Sequence, residues 1–204
     1  MKRSFLFAAV LLAAMTVQAA PIELDRAAAA MSGMEASFVH RFTAKGFKTS
    51  QNEQGSVVFG ALPRMRWSYA SPEKKEFVFD GSNSWFYVPA DKQVTLSHVS
   101  EARKRELPFL LLGDPVARDA HFSVREQTRG GAVVTTLQPK SATSIMHTVT
   151  VTIAPATHLI QSIEYIDRDG NRTSFAFSGY HRKAASGDTF RFVPPAGVQV
   201  IRAD

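Results

Sequence analysis

The feature that most restricts the fold is the recurrence of short extended runs in which apolar and polar residues alternate. MRWSY (65 to 69) is the clearest case. In an extended chain Met65, Trp67 and Tyr69 lie on one face and Arg66 and Ser68 on the other, with Arg64 continuing the polar side. Similar runs are ASFVHRF (36 to 42), GSVVFG (55 to 60), EFVFD (76 to 80), SWFYV (84 to 88) and QVTLSHV (93 to 99). A second series is FSVRE (122 to 126), AVVTTLQP (132 to 139), IMHTVTVTI (145 to 153), LIQSIEYID (159 to 167), TSFAFSGY (173 to 180) and TFRFVPP (189 to 195). Asp80-Gly81, Pro89-Ala90-Asp91, Arg129-Gly130-Gly131 and Asp169-Gly170-Asn171 stand between runs as hairpin punctuation. SWFYV is apolar on both faces and is expected to be covered on both sides. About ten strands joined as a meander predict a mainly β (α+β) fold. A strongly curved antiparallel sheet, forming an open, incomplete β-barrel, is the expected architecture.

Few segments break this rhythm. LDRAAAAM (24 to 31) predicts a helix ending at Gly33. Within 102 to 122, Leu107, Leu110 and Leu111 recur at helical spacing and Gly113-Asp114-Pro115 makes a corner. Two short helices are expected there, and PFLLLGD is the segment apolar enough to serve as a lid on the curved sheet. A lid that packs tightly makes a core, and one that swings makes a lipid-sized pocket.

At the start, Lys2 and Arg3 precede an apolar run, and small residues lead to Ala19. Residues 1 to 19 are expected to be a cleaved secretory signal, leaving 20 to 204 as a single domain. Losing two bases would lower the formal charge from +6 to +4. The remaining bases are interleaved with acids, as in EARKRE (101 to 106), which argues against a nucleic-acid surface. With no cysteine there is neither a disulfide framework nor a thiolate metal site, nor the Cys that a lipid-anchored bacterial lipoprotein needs.

Catalytic signatures are missing. The six histidines are scattered without metal-ligand spacing, and His40 and His147 read as half-exposed sheet residues. There is no GxSxG elbow, phosphate loop or GxGxxG. Ser71-Pro72-Glu73-Lys74 matches SxxK, yet it follows a strand and lacks the SDN and KTG companions. A hydrolase built on Ser71, or on a histidine with Asp80, would need convergent side chains in a cleft. The sequence is instead rich in aromatics, with 15 Phe, two Trp and four Tyr, and Met31, Met34, Met65 and Met146 could adapt to a flexible ligand.

The ordered set ASFVHRF, PRMRWSYASPEKKEFVFDGSNSWFYVPADKQV, LPFLLLGD and TFRFVPPAGVQVI resembles the LolA family of periplasmic outer-membrane lipoprotein carriers. The resemblance implies an eleven-stranded open barrel plugged by helices, without catalysis, metal or cofactor. It implies a periplasmic chaperone that takes lipoproteins from an inner-membrane ABC transporter and delivers them to an outer-membrane receptor. A monomer is implied, and no nucleic-acid partner. Met65, Trp67, Tyr69, Phe77, Phe79 and Trp85 would line the acyl cavity, Phe109, Leu110 and Leu112 would form the lid, and Arg64 and Arg66 would be basic residues near the rim. One position departs: the family arginine that precedes the strand's proline and holds the lid is Leu62 here. A carrier or sensor of another lipid or amphiphile is the alternative that this departure raises.

Overall fold

The computed structural model describes residues 22–100, 109, 112–184 and 186–203. The expected signal lies outside them, as do 101–108 and 110–111, and with them Leu110 and most of the first of the two short helices expected within 102 to 122. Helix α1 (Glu23–Met31) is followed by β1 (Met34–Thr43), β2 (Gln51–Phe59), β3 (Met65–Ser71), β4 (Lys75–Phe79), β5 (Asn83–Val88) and β6 (Gln93–His98). Helix α2 (Pro115–His121) leads into β7 (Phe122–Arg129), β8 (Ala132–Pro139), β9 (Met146–Ala154), β10 (Leu159–Asp167) and β11 (Arg172–Arg182). A 3₁₀ turn (Gly187–Phe190) and β12 (Gln199–Ala203) close the chain.

The strands form one sheet in the order β12-β6-β5-β4-β3-β2-β1-β11-β10-β9-β8-β7. Two meanders join where β1 pairs with β11, and the terminal strands β12 and β7 do not pair, so the sheet is open. Its curvature follows from ring distances. Trp67 on β3 and Phe175 on β11 are three strand spacings apart, about 14 Å in a flat sheet. Their rings lie 5.2 Å apart, so the sheet wraps round its inner face.

That face carries the main core, with Ala36, Phe38, Val57, Phe59, Met65, Trp67, Phe79, Ile163 and Phe175. Leu24, Ala27 and Met31, spaced for one face of a helix, are buried as α1 packs across β8, β9 and β10. The anchor at the start of α1 is ionic. Glu126 of β7 accepts from the backbone N–H groups of Glu23 and Leu24, each at 3.0 Å, and from Thr135 Oγ1 at 2.9 Å. A carboxylate from another element thus replaces the side-chain cap that α1 itself lacks. Arg118 of α2, 1% exposed, donates to Asp25 of α1 at 2.6 Å and to Asp119 at 2.8 Å. Asp114 caps α2 through the N–H of Ala117 at 2.9 Å.

Three expectations are corrected. The structure has twelve strands among the described residues, against the eleven implied by resemblance. TFRFVPP is not a strand: Gly187–Phe190 form a 3₁₀ turn, and Pro194 and Pro195 cannot donate to a ladder. The last strand is QVIRA, and it runs parallel to β6, so the sheet is not wholly antiparallel. The Phe-x-Phe alternation is nevertheless meaningful, because Phe190 and Phe192 are both buried. Phe192 stacks on Trp85 at 5.6 Å and joins Val78 and Val94 in a smaller cluster on the outer face, where this segment lies as a strap.

Candidate functional site

The inner face divides into two zones. In the first, Trp67, 3% exposed, is surrounded edge-on by aromatic rings. Phe38 is at 5.0 Å, Phe109 at 4.8 Å, Phe175 at 5.2 Å, Phe177 at 6.0 Å and Phe59 at 6.1 Å. Phe109 comes from the segment between β6 and α2, and it also touches Phe175 at 5.1 Å. Leu112 is buried in the same core. The zone is a packed aromatic box with one wall supplied by the lid segment.

Leu62 packs against this core beside that segment. A Cβ placed on Gly113 would lie 2.7 Å from Leu62 Cβ, so the end of the lid segment rests directly on the position where the family arginine would stand. The contact is apolar and requires a glycine.

The second zone is polar. His40 pairs across the sheet with Glu53, and its Nδ1 is 2.9 Å from a Glu53 carboxylate oxygen. Lys75 bonds the other oxygen and lies 4.7 Å above the Tyr69 ring. Gly55, directly opposite Tyr69, allows the close approach of β3, since a Cβ there would overlap the Ser68 backbone. A cavity of about 400 Å³ opens here, lined by His40, Glu53, Lys75, Phe42, Tyr165 and Thr173 among others. Burial pushes the Glu53 carboxyl up, but hydrogen bonds from Lys75 and His40 outweigh it and hold the group below its usual range. Burial holds His40 below its ordinary value despite Glu53, with Lys75 adding to the lowering. Burial pushes the Tyr69 phenol well up, so it stays a neutral donor.

Met65, Trp67, Tyr69, Phe77, Phe79, Phe109 and Leu112 all face the inner core. Trp85 does not. It pairs with Val78 and faces the outer cluster, whereas Phe86, 40% exposed, shares the inner face with its partner Phe77. Arg64 and Arg66 turn to the outer face. Arg64 lies 5.6 Å over the Phe190 ring, and Arg66 bonds Glu76 at 2.6 Å and the Thr189 carbonyl at 3.3 Å, so both fasten the strap to the outer face. Met31, Met65 and Met146 are in the main core, and Met34 is buried too. Asp80 accepts from the N–H groups of Ser82 and Asn83 at 2.8 and 2.7 Å, a turn-forming role. The sequence reading missed Phe86, Phe175, Phe177 and the pairing of His40 with Glu53. Counting outward from Gly46-Phe47 would have found that pair, because β1 and β2 form a hairpin centred there.

The fold is thus an open, wrapped sheet, a half-barrel whose aromatic inner face is packed against Phe109 and Leu112. The family model described as outer membrane lipoprotein carrier protein LolA matches residues 29–193. The chain belongs to this LolA family. It is 30% identical over 202 residues to the outer-membrane lipoprotein carrier protein of Xanthomonas campestris pv. campestris (strain B100), covering 98% of this chain and 96% of that one. The protein of the same description from Photobacterium profundum is 30% identical over 148 residues, covering 72% of this chain and 71% of that one. Among solved structures, an uncharacterized conserved protein from Thermus thermophilus shares the fold with a TM-score of 0.55 at 14% identity, covering 89% of this chain and 97% of that one.

Proposed function

We propose that the chain is a periplasmic carrier that encloses the acyl chains of lipoproteins released from the inner membrane and passes them to an outer-membrane receptor. Residues 1 to 19 would direct export and be removed, and residues 20 to 204 would work as a monomer without catalysis or cofactor. The observation that supports this reading is the seat of Phe109 between Trp67 and Phe175, a wall of the aromatic box that an entering acyl chain would displace. Met65, Trp67, Tyr69, Phe77, Phe79 and Phe86 would touch the acyl chain, with Phe109 and Leu112 as the lid. The partners would be an ABC transporter that loads the carrier and a receptor that unloads it.

Transport of another amphiphile is a second reading, favoured by the apolar contact of Leu62 with Gly113 where the family has a charged latch. Native mass spectrometry on the mature protein, purified gently from the periplasm of its host, separates the two. An acylated polypeptide supports the lipoprotein carrier, and free phospholipid or glycolipid alone supports the second. A preparation that carries neither, and that fails to take up a fluorescent acyl probe, overturns both.

A further inference from the structure

The polar zone is contiguous with the aromatic box. Phe175 stacks on His40 at 4.3 Å with the rings 3° from parallel, and meets Phe109 edge-on at 5.1 Å. Tyr69 makes the same link, packing on Phe38 at 4.9 Å while its ring lies under Lys75. A ligand whose chain took the place of Phe109 among Phe38, Trp67 and Phe175 would therefore place its other end at His40, Glu53 and Lys75. This rests on the acyl-binding reading and adds the chemistry of the head.

Charge is balanced within the His40, Glu53 and Lys75 set. The Lys75 ammonium is neutralised by Glu53, and a neutral His40 gives its Nδ1–H to that same carboxylate, leaving Nε2 as an acceptor. Lys75 has three N–H bonds and the carboxylate about four lone-pair directions, so the pair retains both donor and acceptor capacity toward the cavity. Tyr165 and Thr173 line the opposite side, and Asp167 is tied to Asn171 at 2.8 Å. A charged head would add an uncompensated charge to this part-buried set; an ester or amide would not.

We propose that His40, Glu53, Lys75 and Tyr69 form a head-group site selecting acyl ligands whose polar end is uncharged, an ester or amide flanked by O–H or N–H. Such ends occur on acylglycerols and on acylated peptide N-termini.

The test is displacement of a fluorescent acyl probe at pH 8 by three ligands of equal chain length, below their micelle concentrations: monododecanoylglycerol, dodecanoate and dodecylamine. Wild-type protein should bind the acylglycerol about tenfold more tightly than either ion. Glu53→Gln leaves Lys75 unneutralised and should shift the preference about tenfold toward dodecanoate; Lys75→Met should shift it as far toward dodecylamine. A measurement needing no variant runs the wild type from pH 8 to pH 5. Dodecylamine is cationic throughout, so protonation of His40, among Glu53, Lys75, Asp167 and the neutral Tyr69 and Tyr165, should weaken it relative to the acylglycerol. Ligand ratios that stay the same across variants and pH overturn the head-group site while leaving the acyl site standing. Failure of every ligand to displace the probe from wild-type protein overturns the acyl reading itself, and this inference with it.

Discussion

Gly113→Ala is a small change with a large expected effect. The new methyl carbon would sit 2.7 Å from Leu62 Cβ and 3.0 Å from the Leu62 carbonyl carbon, about 1 Å inside ordinary carbon contact. Neither side yields freely. The Leu62 turn is closed by Gly60 N–H to Arg64 O at 2.9 Å and Arg64 N–H to Ala61 O at 3.2 Å. On the other side Gly113 stands between buried Leu112 and Asp114, the cap of α2. Overpacking of this kind costs about 1–3 kcal/mol, and the stiffer unfolded chain returns about 0.4–1 kcal/mol. A net loss of about 1–2 kcal/mol is expected, read from urea unfolding of the mature protein. The contact also predicts which second change relieves it. Leu62→Ala keeps the offending Cβ and should leave the penalty intact, while Leu62→Gly removes it and should show a favourable coupling in a double-mutant cycle. If the methyl lifts residues 112 to 114 from the turn, the acyl probe should also enter faster. Gly113→Ala protein as stable as wild type, with no difference between the two companions, would refute the packing argument.

Three other perturbations have expected outcomes. Glu126→Ala removes the acceptor for two N–H groups of α1 and for Thr135, and should lower stability by about 1–2 kcal/mol in urea unfolding; an unchanged midpoint would mean that water caps α1 equally well. Arg118→Met leaves Asp25 and Asp119 without their shared cation and should cost about 1.5–3 kcal/mol, with little relief in high salt because the guanidinium is buried. His40 has a folded-state pKa below its unfolded value of 6.5, so the unfolded chain takes up the proton first and stability falls as pH drops from 6.5 to the folded pKa. Glu53, also lowered, adds stability that is present above its unfolded value of 4.5 and lost as pH falls through its folded pKa. His40→Gln should flatten the first slope and weaken the second, which then rests on Lys75; a slope between pH 6.5 and 5 that survives the substitution assigns it elsewhere.

Strand positions were legible wherever one face is apolar and the other polar. Met65, Trp67 and Tyr69 face inward as alternation requires, and Arg66 faces away. The same rule had no purchase on SWFYV. With both faces apolar, parity alone could not show that Trp85 points out and Phe86 in; the pairing of Phe86 with Phe77 decides it. The strap misled for a related reason. Phe190 and Phe192 alternate like strand residues because both pack against the outer face of the sheet, although the chain that carries them makes no ladder there. His40 read as an ordinary sheet residue because its partners lie on two other strands. Glu53 is reached through one hairpin, but Lys75 comes within reach only after β3 doubles back on β2 and β4 on β3. Only the hairpin pair leaves a local spacing to find; the third member of a polar site assembled across strands does not.

Enclosure and release make opposite demands, and the closed interior shows how both are met on the proposed reading. A long acyl chain fully removed from water gains on the order of 10 kcal/mol. In this structure the space is not an empty pocket awaiting it, because Phe109 and Leu112 already occupy the aromatic box. An entering chain must displace them, and re-exposing two such side chains costs roughly 3–6 kcal/mol. The difference, about 4–7 kcal/mol, corresponds to dissociation constants from about 1 mM to roughly 10 µM per chain. Affinity in that range shields a chain during transit and still yields to a receptor that binds it better. The lid is then more than a cover. On the carrier reading, Phe109 would be an internal competitor that lowers the cargo's affinity by the free energy of its own burial, and its contact with Trp67 would help expel the load.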